Sequence, residues 1–96
     1  MSEAIIRRHL IFSGTVQGVG FRWRARRAAE LYGVTGWVRN DRSGSVSMEL
    51  QGTAAQIDMV LRAIERGLYI RVEELRARTI PTEEDERGFV TLDDEY

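Results

Sequence analysis

The residues best placed to do chemistry in this chain are Gly14-Thr15-Val16-Gln17-Gly18-Val19-Gly20-Phe21-Arg22. Three glycines in so short a run let the backbone curl until successive N–H groups point inward. A helix starting near Phe21 would add the positive end of its dipole. A strand that empties through such a turn into a helix start is a natural anion cradle. Arg22 falls in the first helical turn, where its planar fork of donors can close over a phosphate. Glycine spacing alone is a weak signal, and by itself it favours a plain strand-to-helix turn with a solvated arginine. What lies beside the loop has to decide.

The elements that must hold the loop are legible from periodicity. Residues 1–7 read as a loose leader. Arg8 to Gly14 reads as a first strand, with Leu10 and Phe12 on one face and His9 and Ile11 on the other. His9, the only histidine, stands well before the loop and is read as structural. Phe21 to Tyr32 reads as a helix: Phe21, Ala25, Ala28, Leu31 and Tyr32 recur at helical spacing, Arg24 and Arg27 lie on the outer face, and Gly33 stops it. Val34 to Asp41 and Ser45 to Gln51 read as strands joined by the loop Asp41-Arg42-Ser43-Gly44.

A second helix opens on a capping box, Thr53 with Gln56, and carries an apolar stripe of Ile57, Val60, Leu61, Ile64 and Leu68 closed by Gly67. Ile70 to Ile80 breaks strict alternation, so a bulge is expected in that fourth strand. Pro81 ends it. An acidic loop from Thr82 to Arg87, a short strand from Phe89 to Leu92 and a polar tail over 93–96 follow.

This order packs as an α+β split βαβ sandwich, one antiparallel-type sheet with two helices on one face, in a single domain spanning residues 1–96. A right-handed crossover makes the first two strands parallel, with the third between them. Asn40, ending the second strand, then lies two strand spacings from the glycine loop, roughly 10 Å. It shares parity with Val38, so it faces the helices if Val38 does. An anion in the loop would have an arginine on one side and an amide on the other.

Composition narrows the ligand. Residues 1–48 carry eight arginines against Glu3, Glu30 and Asp41, a net +5, whereas residues 49–96 carry six arginines against twelve acids, a net −6. The basic half holds the loop, and the acidic half would repel a long phosphate backbone, which favours a small anion. No run approaches the roughly 18 apolar residues of a membrane span. The absence of cysteine excludes thiolate metal sites and fits the cytoplasm.

The loop resembles the first signature of the acylphosphatases, Gly-x-Val-Gln-Gly-Val-x-(Phe/Tyr)-Arg. Gly36-Trp37-Val38-Arg39-Asn40, followed by Gly44, Val46 and Gly52, is similar to the second. The resemblance covers essentially the whole chain. It implies a ferredoxin-like fold and hydrolysis of acyl phosphates to carboxylate and inorganic phosphate. It also implies that Arg22 binds the phosphate and Asn40 positions the attacking water. Backbone amides of Gln17, Gly18, Val19, Gly20, Phe21 and Arg22 would complete the cradle. An already activated anhydride needs neither metal nor cofactor, only grip, charge neutralisation and one placed water.

Inorganic phosphate is expected as product and competitive inhibitor, and a monomer with no nucleic-acid or membrane partner is expected. Departures from the family pattern are Gly67-Leu68, where many members have Gly-Pro, and Thr91, where the last strand more often has an aliphatic residue. Two other readings are a carbamoyl-phosphate-handling module of the kind found in hydrogenase maturation proteins, and an RNA-binding module using Trp37 on the open sheet face.

Overall fold

A computed structural model describes residues 3–95. Seven elements follow in order: β1 (Ile6–Thr15), α1 (Phe21–Tyr32), β2 (Thr35–Asn40), β3 (Val46–Gly52), α2 (Ala54–Glu65), β4 (Arg71–Ile80) and β5 (Phe89–Thr91). The sheet order is β4-β1-β3-β2-β5. β3 lies between β1 and β2 and is antiparallel to both, so β1 and β2 run the same way and their C-terminal ends share one edge. The α+β sandwich read from the sequence is the observed one, except that the sheet is mixed rather than antiparallel throughout, because β5 pairs parallel with β2.

The core is the layer between the helices and the sheet. Leu10 and Phe12 of β1, Val38 of β2, Val46, Met48 and Leu50 of β3 meet Phe21, Ala25, Ala28 and Ala29 of α1 and Ile57, Val60 and Ile64 of α2, all buried. The small residues of α1 let that helix lie close to the sheet. Two expected core residues are exposed. Leu31 points away because Phe21, Ala25, Ala28 and Ala29 already fill the buried stripe of α1, and Leu68 lies beyond the end of α2.

α2 begins with the full capping box, Gln56 N–H donating to Thr53 Oγ1 and Thr53 N–H to Gln56 Oε1. The expected irregularity in β4 is a register shift opposite Ser13 and Gly14: Ser13 pairs with Glu74 and Gly14 with Val72, so Glu73 is the extra residue.

The leader is shorter than expected. Met1 and Ser2 lie outside the described residues, but β1 already begins at Ile6, and Arg7 is buried on the sheet face that no helix covers. Charge pairing makes this possible. Arg7 Nε donates to Glu49 Oε1 at 2.9 Å, and its two terminal nitrogens grip Glu86 at 2.7 and 3.0 Å, folding the acidic loop over that face. Glu49 Oε2 lies 2.7 Å from His9 Nδ1, so the lone histidine is a partner in this network. The tail, whose last residue Tyr96 lies outside the description, docks as well. Leu92 N–H donates to Val38 O and Glu95 N–H to Asn40 O, continuing the β5 track along β2.

Candidate active site

Val16 and Phe21 bracket the glycine loop and are both buried, Phe21 edge-on against Phe12 of β1 at 4.9 Å between ring centroids. These two anchors fix where the loop leaves the strand and where the helix starts. Between them Gly18 and Gly20 have φ of +72° and +80°, while no other residue of the loop's centre has positive φ. Alternating positive and negative φ turns successive N–H groups to one side, the geometry of an anion-binding nest. Gly20 is also the N-terminal boundary of α1, and no side chain caps that end. The N–H groups of the first turn therefore have no intrahelical acceptor and face the same space.

That space is a pocket of about 460 Å³ lined by Val16, Gly18, Gly20, Phe21, Arg22, Trp23, Arg26, Asn40 and Thr91. Arg22 and Asn40, eighteen positions apart in the chain, thus share one pocket, as the topology requires. Asn40 is buried, and its Oδ1 has no hydrogen-bond partner. Asn40 lines this pocket, and a buried acceptor without a partner is rare and costly.

Arg22 is partly exposed, and its Nη1 donates to Asp94 Oδ1 at 2.5 Å. The contact engages one terminal nitrogen and leaves the rest of the fork to the pocket. Asp41, next to Asn40, is fully engaged: Ser45 Oγ and Ser47 Oγ donate to its Oδ2, and Arg39 to its Oδ1. It serves the hairpin.

The sequence-derived site residues fall into two groups. Gly18, Gly20, Phe21, Arg22 and Asn40 converge on the pocket. Gln17 and Val19 support the loop from outside it. The Gln17 side chain donates to Asp41 O and Ser45 O, tying the loop to the hairpin, and Val19 packs against the core. Sequence reasoning missed Trp23, Arg26 and Asp94. Arg26 carried a signal, since it stands one turn after Arg22 on the same helix face. Asp94 carried none, because its partner is 72 residues away.

Among the described residues, the two groups with displaced proton affinities lie on the opposite sheet face. Burial pushes the Glu49 carboxyl up, but hydrogen bonds from His9 and Arg7 outweigh it and hold it below its ordinary value. The hydrogen bond to Glu86 holds the Arg7 guanidinium above its ordinary value, although burial opposes this.

The acylphosphatase family profile matches residues 8–91. An acylphosphatase of Bordetella parapertussis is 51% identical over 59 residues, which are 62% of this chain and 63% of that protein. The chain thus spans a little under two thirds of that relative's length. The crystal structure of acylphosphatase from Bacillus subtilis superimposes with a TM-score of 0.83 at 25% identity, covering 91% of this chain and 98% of that one. Full-length HypF, in its phosphate- and nucleotide-bound form, superimposes with a TM-score of 0.86 at 26% identity over 99% of this chain but only 13% of its own.

Proposed function

The chain belongs to the acylphosphatase family, and from that premise we propose that it hydrolyses acyl phosphates to carboxylate and inorganic phosphate, without a metal. The observation that carries this is the pairing of Arg22 and the unpartnered, buried Asn40 across one pocket floored by the Gly18–Phe21 nest. The nest and the first-turn amides of α1 hold the phosphoryl oxygens, and the free edge of Arg22 neutralises their charge. In the transition state charge is spread over those oxygens and develops on the departing carboxylate oxygen, so donors already in place lower the barrier.

The Asn40 amide both accepts and donates, so it holds a water in line with the bond to the leaving carboxylate. The water's proton passes to a phosphoryl oxygen of the substrate. His9 is engaged by Glu49 on the other sheet face and Asp41 by the hairpin, which leaves neither placed as a base. The P–O bond to the acyl group breaks and the carboxylate leaves; being a weak base, it needs no protonation. A cytoplasmic monomer fits a small, cysteine-free chain.

The test is hydrolysis of acetyl phosphate beside a phosphate monoester, with and without EDTA. Turnover of the anhydride alone, unchanged by chelation and competitively inhibited by inorganic phosphate, is expected. A monoesterase, or activity lost to EDTA and restored by one divalent ion, would overturn the reading. The overlay on HypF, whose structure holds phosphate and a nucleotide, leaves a second reading to test, a carbamoyl-phosphate-handling module. Carbamoyl phosphate turned over while acetyl phosphate is refused would select it.

A further inference from the structure

We propose that the free edge of β4 is a self-recognition surface. Two copies of this chain pair antiparallel along it about a two-fold axis at Leu75, joined by Glu74 of each copy to Arg76 of the other. The pocket takes no part, since none of its lining residues belongs to β4. β4 ends the sheet, with β1 on one side and, among the described residues, no strand on the other. Its ten residues present a row of N–H and C=O groups that a further strand can take up. β5, at the opposite edge, is three residues long and offers little.

Charges and a bulge commonly guard such an edge. β4 has both, with Glu73 as the extra residue and Glu74, Arg76 and Arg78 along the regular part. The charges turn away an apolar strand, which would leave them unpaired and partly buried. Their order, however, complements itself. Glu74, Arg76 and Arg78 stand opposite Ser13, Ile11 and His9 and lie on the open face of the sheet. Leu75 and Ala77 stand opposite the buried Phe12 and Leu10 and lie on the helix side.

A two-fold pairing that keeps like faces together must turn about a single residue. Turning about Glu74, Arg76 or Arg78 sets that residue against itself, and turning about Ala77 sets Arg76 against Arg78. Like charges directly opposite each other oppose pairing. Among these centres only Leu75 sets Glu74 against Arg76, twice, with no like charges facing. Within one strand Arg76 Nε already donates to Glu74 Oε1 at 3.0 Å, so the four side chains of the pair close an alternating ring. On the helix side Leu75, 39% exposed in the single chain, meets its own copy and gives up apolar surface to it. The bulge shortens the ladder, so the association is weak and reversible, and at the dilution of a turnover assay the chain is a monomer.

The experiment is sedimentation equilibrium from micromolar to millimolar chain at low ionic strength. It compares the wild-type chain, Glu74→Arg, Arg76→Glu, an equimolar mixture of those two variants, and the double variant. The wild-type chain should dimerise reversibly, less so with added salt. Each single substitution makes both charged pairs of the dimer like pairs, so dimerisation should weaken by about tenfold or more. The mixture and the double variant restore opposite charges at both places and should return to within about threefold of the wild-type dissociation constant. An unfolded variant is not rescued by mixing, and circular dichroism checks each fold. Should a reversal disturb it, Glu74→Gln and Arg76→Gln remove one charge each and should weaken the dimer by about threefold. A wild-type chain monomeric up to millimolar concentration overturns the proposal. So do folded single variants that pair as tightly as the wild type, or a mixture no tighter than its components.

Discussion

Replacing Asn40 with alanine should separate activity from stability in opposite directions. The Asn40 side chain is buried and its Oδ1 meets no donor in the protein. A buried acceptor left unpaired costs about 1–3 kcal/mol. Asn40→Ala removes that cost together with the amide, and the space it vacates opens onto a pocket that water reaches, so the cavity penalty is small. The variant should be as stable as the parent or more stable by about 1 kcal/mol. The strand should stay in place, because Asn40 N and O belong to the ladder with β3 and to the bond from Glu95.

Turnover should nonetheless fall by on the order of 10²–10³, as for the loss of one aligned donor at a reacting centre. Inorganic phosphate should still inhibit with near-parental affinity, since the nest and Arg22 are untouched. Denaturation midpoints, acetyl phosphate turnover and the phosphate inhibition constant are the three measurements. A variant that loses more than about 1 kcal/mol yet keeps its turnover would make Asn40 a strand-end packing residue and refute the site.

Arg22→Ala should lose phosphate inhibition together with turnover, and Arg22→Lys should restore little of either, because a point charge cannot reproduce the fork; inhibition constants for both variants check this. Asp94→Asn removes a carboxylate that competes for Arg22 Nη1, so phosphate inhibition should tighten by about threefold, and weaker inhibition would show that Asp94 instead holds the arginine in place. Gly18→Ala meets no neighbour within 4 Å, so its stability cost should be only the left-handed strain at φ +72°, about 1 kcal/mol by denaturation. Phosphate affinity should fall further than that strain accounts for if the nest must keep its shape.

Glu49 titrates below its ordinary value of 4.5 in the fold. Its contribution to stability is therefore present above that pH and is lost as pH falls through the lower, folded value. Glu49→Gln should flatten this acid limb of a stability–pH curve, and an unchanged limb would count against the Arg7–Glu49–His9 network.

Elements whose signals are local were legible in the amino-acid order. α1 runs from Phe21 to Tyr32 as its periodicity implies, because a helix puts Phe21, Ala25 and Ala28 on one buried stripe. The Thr53–Gln56 box satisfies its donors within three residues, so it needs no tertiary help. The nest is local too, and the handedness of the crossover carried Asn40 to the same edge of the sheet. Arg22, Gly18, Gly20 and Asn40 were therefore identifiable together before any coordinates.

Contacts between distant charges were not legible, because a charged residue looks solvated until its partner is known. Arg7 read as leader, yet three groups 42 to 79 residues away complete its shell and make it part of the sheet's open face. Asp94 read as tail, yet the β5 track along β2 delivers its carboxylate to Arg22. The sequence by itself determined the sandwich, the loop and the two residues that face each other across it, since hydrophobic period, capping and glycine placement act over a few residues. Only the tertiary structure decided which ion pairs surround them, because those depend on how the sheet brings its ends together.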